Sequence, residues 1–251
     1  MRRDEAGLLD AVRALAPGGP LLVALDFDGT LTEIVDDPGA PGLSLERRAI
    51  LARVPAPGRW LAIVSGRSLE DVGPRVGIED AIVVGNHGLE IEGPGISVRL
   101  APAGVEGRLT ALLAALPLEH AAIVEDKGAT ATLHVRPRED ARRHAALGAA
   151  IRAPVEAAGF VLRPGKASWE IRPAGPTNKG DALRRLLDAL PGAAAERAIY
   201  IGDDRTDEDA FAALRAGLTA RVGVPDRETA ARHRLADPAA VYRFLEALIA
   251  G

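Results

Sequence analysis

The chain contains no cysteine and no glutamine, two asparagines (Asn86 and Asn178), and only three lysines (Lys127, Lys166 and Lys179) among 31 basic residues. Without cysteine, disulfides and thiolate metal sites are excluded, and the redox state of the compartment is left open. Aromatic residues are scarce at 3%. No apolar run reaches the ~18 residues of a membrane-spanning helix. The opening MRRDEAGLLDAVRAL mixes acids into a short amphipathic segment, which is unlike a secretion signal. Basic excess is missing too, with a net charge of -4 and a pI near 5.8. Neither nucleic acid nor an anionic membrane is therefore expected as a partner. A cytoplasmic location is the expectation.

What is present is ordinary for a globular protein: 47% hydrophobic and 26% charged residues in a chain of 251. That length suits one large domain or two small ones. The chain is rich in Ala, Arg, Gly and Pro, as a GC-rich coding bias would produce. Under that bias the rare residue types stand out, and both asparagines and all three lysines fall in the segments singled out below.

Apolar runs alternate with amphipathic stretches, the pattern of an α/β fold with a parallel sheet. LLVAL (21–25), WLAIV (60–64) and AIVV (81–84) read as buried strands. A helix is expected over 45–54 with Ser44 as N-cap. Residues 89–91 and 96–100 flank Gly93-Pro94-Gly95 as a hairpin. The middle of the chain changes character. A helical stretch at 105–116 precedes antiparallel strands at 121–124 and 129–135, a long helical pattern at 139–158, and a strand pair at 160–163 and 168–172. After a proline-rich linker the α/β alternation returns: helix 179–190, strand 198–201, helix 207–216, strand 219–222 and helix 238–250. A core interrupted by an inserted domain accounts for this order, with core segments 1–102 and 176–251 and an inserted α+β domain at 103–175.

Four short strings carry chemistry. LDFDGTLTEI (25–34) puts Asp26 and Asp28 just beyond a buried strand, where open parallel sheets bind ligands. One carboxylate can attack phosphorus while the other handles the leaving-group proton. Gly29 and Thr30 supply a tight turn whose N–H groups suit phosphate. Ser65-Gly66-Arg67 follows the next strand, and offers a hydroxyl and a positive charge to phosphate oxygens. Asn178-Lys179-Gly180 opens a helix, placing a lysine that can neutralise a nucleophilic carboxylate and the phosphate it attacks. IGDDRTDEDAF (201–211) ends a strand in clustered acids. Hard oxygen ligands of this kind suit Mg²⁺, and Asp203 and Asp207 are the candidates. Glu208 and Asp209 fit equally well as acids stabilising the next helix dipole.

In this order the four strings resemble the haloacid dehalogenase-like phosphohydrolases. The resemblance implies a Rossmann-like core with an inserted α+β cap domain, an obligate Mg²⁺ held with Asp26, Asp28, Asp203 and Asp207, and an aspartyl-phosphate intermediate. Within that superfamily the chain is similar to the trehalose-6-phosphate phosphatases. The strings that carry this are DFDGTLTEI, GNHGLEI (85–91), VEDKGATATLHVR (124–136), KASWEIRP (166–173) and GDDRTDEDAF. The resemblance implies a sugar phosphate as substrate, with Glu125, Lys127, Arg136 and Glu170 holding sugar hydroxyls. One departure is Thr177, where an aromatic residue is usual. From the residues alone, Glu125 and Lys127, His134 and Arg136, and Glu170 and Arg172 alternate onto strand faces. That pattern also fits a merely wet sheet face. Asn86-His87-Gly88 ends a strand and is a candidate substrate contact. Rival readings keep the fold and change the sugar phosphate, as in a sucrose-phosphate or glycosyl-phosphoglycerate phosphatase, or make the chain a non-catalytic sensor.

Overall fold

Leu21, Val23 and Leu25 of strand β1 (Leu21–Asp26) point into one apolar cluster, and Leu22 and Ala24 into another. All six strand residues are buried. That is why the strand reads as an unbroken apolar run instead of an alternating one. The computed structural model describes residues 3–15, 19–34, 42–119, 121–136, 140–165, 167–175, 178–224 and 228–251. Lys166, Pro176 and Thr177, noted in the sequence, lie outside them.

The chain divides into two compact units: Met1–Val98 with Asn178–Gly251, and Arg99–Thr177. In chain order the first unit holds α1 (Arg3–Arg13), β1, α2 (Leu45–Leu51), β2 (Arg59–Val64), α3 (Leu69–Val76), β3 (Ala81–Gly85), β4 (Glu90–Gly93) and β5 (Ile96–Arg99), the last residue of which falls in the second unit. The second unit holds α4 (Val105–Ala115), β6 (Ile123–Asp126), β7 (Ala131–His134), α5 (Ala141–Ala157), β8 (Phe160–Gly165) and β9 (Ser168–Pro173). The chain then returns to the first unit with α6 (Lys179–Ala189), β10 (Ala198–Gly202), α7 (Glu208–Ala213), β11 (Leu218–Val222), β12 (His233–Leu235) and α8 (Pro238–Ala250).

The first unit is built on an eight-stranded sheet ordered β12-β11-β10-β1-β2-β3-β4-β5. From β12 to β3 the strands are parallel, and β4 returns antiparallel to β3. Residues from α1, α2, α3 and α8 pack on one face, and residues from α6 and α7 on the other. Each fully buried Leu, Ile or Val contributes about 1.5–3 kcal/mol on transfer from water. The aliphatic richness of the chain thus takes the place of aromatics. β1 sits at the switch point of the topology, with β2 following it on one side and β10 arriving from the distant C-terminal segment on the other. A crevice opens outside the carboxyl end of a strand in that position.

The second unit is α+β, with an antiparallel sheet ordered β6-β7-β9-β8. Trp169 packs its ring on His144 of α5, 4.8 Å between centroids, and its indole N–H donates to the His144 carbonyl. β6 starts and ends two residues later than the expected strand at 121–124.

Candidate active site

β1 ends on Asp26, which is 4% exposed. Lys179 is carried to it by the first turn of α6. That helix starts where it does because the Asn178 side chain caps it, accepting from the N–H of Asp181 at 2.8 Å. Lys179 Nζ donates to Asp26 Oδ1 at 2.5 Å and to Asp207 Oδ1 at 2.8 Å. Burial works against the ammonium, but the charges of Asp207 and Asp26 outweigh it and hold the lysine protonated, above its usual range. Asp26 is pushed well up, first by burial and then by the charges of Asp207 and Asp203, against the pull of Lys179. Thr30, also buried, donates to Asp26 Oδ2 at 3.3 Å.

β10 lies beside β1, and the loop after it brings in two more acids. Asp203, Asp207 and Asp26 each offer an oxygen within 4.8 Å of the others. Asp203 is raised to about 6, chiefly by burial and next by the charge of Asp207. Its Oδ1 is buried and has no hydrogen-bond partner among the described residues. Three carboxylates share one lysine here, so the cluster lacks positive charge. An orphaned carboxylate oxygen in an electron-rich, all-oxygen setting fits a hard divalent cation. Gly29, at φ +87°, has no side chain because the Asp203 carboxylate occupies the space a Cβ would take.

Asp207 is fully buried and its oxygens accept four hydrogen bonds. Oδ1 takes Lys179 Nζ and, at 2.7 Å, the Tyr200 hydroxyl; Oδ2 takes the N–H groups of Asp203 and Asp204 at 3.0 and 2.8 Å. Arg221 on β11 anchors the same loop, donating from Nη2 to the Asp203 carbonyl at 3.2 Å and pairing with Glu208 at 3.1 Å. Sequence reasoning missed both Tyr200 and Arg221. Tyr200 carried a signal: a tyrosine inside a buried strand needs a partner for its hydroxyl.

The other candidates of the first unit lie in the turn after β1 and in the loops after β2 and β3. Asp28 does not join the three-acid cluster. Its carboxylate is gripped by Arg67, whose Nε and Nη2 donate to Oδ2 and Oδ1 at 2.7 and 2.9 Å. Arg67 also donates to Asp71, which in turn accepts from Arg75. The Arg67 expected on phosphate is therefore engaged with two carboxylates. Ser65 Oγ accepts from the Arg67 N–H at 3.1 Å. The backbones of the 65–67 and 86–88 loops are tied together by His87 N–H to the Ser65 carbonyl and Asn86 N–H to the Arg67 carbonyl. Asn86 and His87 both have positive φ, +47° and +56°. Asn tolerates that region, whereas a strained histidine costs of the order of 1–3 kcal/mol. The His87 ring lies against Gly66, where a Cβ would fall 2.5 Å from Nε2. Gly88 packs on Ala182 of α6.

In the inserted unit the strand registers set Glu125 opposite Thr132, Thr132 opposite Glu170, and Glu170 opposite Arg163, a single row across the sheet. Glu125 Oε2 meets His134 Nε2 at 3.1 Å and Lys127 Nζ at 3.8 Å. Glu170 pairs with Arg172. Lys127 lies just past β6, and Arg136 just past β7.

A buried carboxylate is paired with a lysine at the end of β1. With acids to spare for a hard cation beside it, the chemistry is phosphoryl transfer, and the parallel sheet interrupted by an α+β unit is that of the haloacid dehalogenase-like hydrolases. Comparison with known proteins agrees. The trehalose-phosphatase family model matches residues 24–239. The chain is 36% identical to a probable trehalose-phosphate phosphatase of rice (Oryza sativa subsp. japonica), over 97% of this chain and 73% of the relative. It is also 36% identical to a trehalose-phosphate phosphatase of Mycobacterium avium, over 98% and 68%. The solved trehalose-6-phosphate phosphatase of Aspergillus fumigatus superposes with a TM-score of 0.69 at 28% identity, covering 98% of this chain and 97% of that one. The chain belongs to the trehalose-phosphatase family, and it is a phosphatase.

Proposed function

We propose that this phosphatase hydrolyses trehalose 6-phosphate to trehalose and orthophosphate, with Mg²⁺ as cofactor and Asp26 as nucleophile. The observation that supports it most is the buried Asp26–Lys179–Asp207 chain beside an Asp203 oxygen that has no hydrogen-bond partner among the described residues. An Asp26 oxygen attacks phosphorus in line as the bond from phosphorus to the sugar oxygen breaks. Asp28 donates a proton to that leaving oxygen. It then takes one from the water that attacks the aspartyl phosphate, which releases orthophosphate. Lys179 holds positive charge against Asp26 and the transferring group. Mg²⁺, when bound by Asp26 and Asp203 with Asp207 beside them, would supply charge stabilisation for the phosphoryl oxygens. Arg67 is read as the group that orients Asp28. Glu125, Lys127, Arg136 and Glu170 are read as the sugar-recognising groups. Their mixed charges suit a neutral disaccharide dense in hydroxyls.

Orthophosphate release from a panel of sugar phosphates tests this reading. Steady release from trehalose 6-phosphate, and little from sucrose 6-phosphate or a glycosyl phosphoglycerate, is expected. Asp26→Asn is expected to abolish turnover while keeping the melting temperature of the parent. Substantial activity in that variant would overturn the nucleophile assignment.

A further inference from the structure

Nothing in the proposed chemistry requires a tyrosine beneath the acidic loop. Tyr200 stands in the middle of β10, opposite Ala24 of β1, and is fully buried. Its cluster is otherwise apolar, with Ala182, Leu183, Ala210 and Phe211 among its members. The Phe211 ring packs edge-on against it, 5.8 Å between centroids. The single polar atom of the side chain is spent on Asp207 Oδ1 at 2.7 Å. That same oxygen accepts from Lys179 Nζ, which goes on to Asp26. An unbroken path of hydrogen bonds thus runs from Tyr200 to the candidate nucleophile.

We propose that Tyr200 is a positioning residue that fixes the Asp207 carboxylate, and through it aims Lys179 at Asp26. This rests on the reading of Asp26 as nucleophile and Lys179 as its charge partner. Lysine is a compact charge on a flexible four-carbon stem, so its placement has to come from what it touches. A carboxylate also rotates readily, because its terminal torsion is broad and two-fold. With two donors on each oxygen, Asp207 has one orientation. The backbone N–H groups set Oδ2, and Tyr200 sets Oδ1. A neutral hydroxyl suits this task, because it orients Asp207 without cancelling the negative charge that attracts the lysine. Rigid sheet and ring packing hold the hydroxyl in turn, as a preorganised site demands.

Tyr200→Phe removes the hydroxyl and keeps the ring. We expect kcat to fall about tenfold to a hundredfold, the range for a hydrogen bond to a charged group, with KM little changed. Phe211→Leu, which alters the packing but no hydrogen bond, should retain kcat within about twofold of the parent. The decisive measurement is a cycle with Asp207→Asn. If Tyr200 acts through Asp207, the double variant is no slower than Asp207→Asn alone. Should Asp207→Asn not fold, Lys179→Met takes its place, and Tyr200→Phe must be silent in that background. Losses that multiply in the double variant, an unchanged kcat in Tyr200→Phe, or an equal loss in Phe211→Leu would each overturn the proposal. Asp26→Asn is measured alongside. Activity in that variant would overturn the nucleophile reading itself, a failure distinct from those of the Tyr200 variants.

Discussion

Two aspartates two positions apart occupy different surroundings, and the proposed mechanism gives them different work. Asp26 is buried and bridged by Lys179, while the Asp28 side chain is 46% exposed and paired with Arg67. A nucleophile benefits from a fixed, charge-compensated carboxylate. An acid that meets both a leaving group and then a water benefits from access. Asp28 is half-exposed and Arg67 keeps Asp71 as a second carboxylate partner, so the Arg67–Asp28 grip is read as orientation more than as strength. Asp28→Asn should therefore leave the melting temperature almost unchanged and slow turnover by about 10²–10⁴-fold. The loss should be smaller for an activated aryl phosphate, whose leaving group needs no proton. Equal loss on both substrates would deny Asp28 the acid role in the first step. Arg67 shows how far a single sequence goes: the residue was visible after its strand, but its partner Asp28 lies 39 residues away, and only the parallel register brings them together.

At the scale of elements, the strands that were easiest to read are those buried on both faces. β1, β2 and β3 are short continuous apolar runs, and each appears within a residue or two of its expected bounds. Helix α3 was not legible, because Gly73 and Pro74 interrupt its pattern. β12 is three residues long and carries two basic ones, too little for a periodicity. Helix α7 stops three residues before the expected end at 216, and starts one residue late because Arg205–Asp207 forms a 3₁₀ turn, with the Asp207 carboxylate folded back onto the loop. The scarcity of asparagine did carry information: Asn178 caps α6, and Asn86 takes a positive φ at the end of β3. Losing such a cap costs about 1 kcal/mol. Asn178→Ala should lower the melting temperature modestly and reduce kcat as well, because the frayed turn is the one that carries Lys179. A stability loss with no kinetic effect would separate the cap from the lysine. The acidic loop makes its own prediction. Chelator should eliminate activity and Mg²⁺ restore it, with Ca²⁺ a poor substitute because its coordination is looser. A bound ion stabilises the native state by mass action, about 2.7 kcal/mol at a hundredfold excess over Kd. Mg²⁺ should thus raise the melting temperature of the parent and not of Asp203→Ala. A full shift in that variant would place the ion elsewhere.

For the whole molecule, the fold class was legible because the alternation of buried runs and amphipathic segments breaks off in mid-chain and then resumes. The inserted unit was harder to interpret, because charged residues on one strand face look the same whether they are wet or recognise a ligand. Glu125, Thr132 and Glu170 stand in one row, and Glu125 is held by His134 and Lys127 while Glu170 is held by Arg172. Pairs of this kind also occur on solvated faces; under the proposed reading they hold the carboxylates in fixed directions for sugar hydroxyls, each of which both donates and accepts. Hydrogen bonds to charged groups are worth ~1.5–3 kcal/mol each. Glu125→Ala, Lys127→Ala and Glu170→Ala should therefore each lower kcat/KM for trehalose 6-phosphate by roughly 10- to 100-fold. On a small aryl phosphate, which has no sugar hydroxyls to recognise, the same variants should stay within about twofold. Measuring both substrates separates the outcomes. Parallel losses on the two would make these residues supports of the fold, and no loss on either would return them to an ordinary wet sheet face. A selective loss on the disaccharide phosphate ties sugar recognition to the inserted unit and leaves phosphoryl transfer to the parallel-sheet unit.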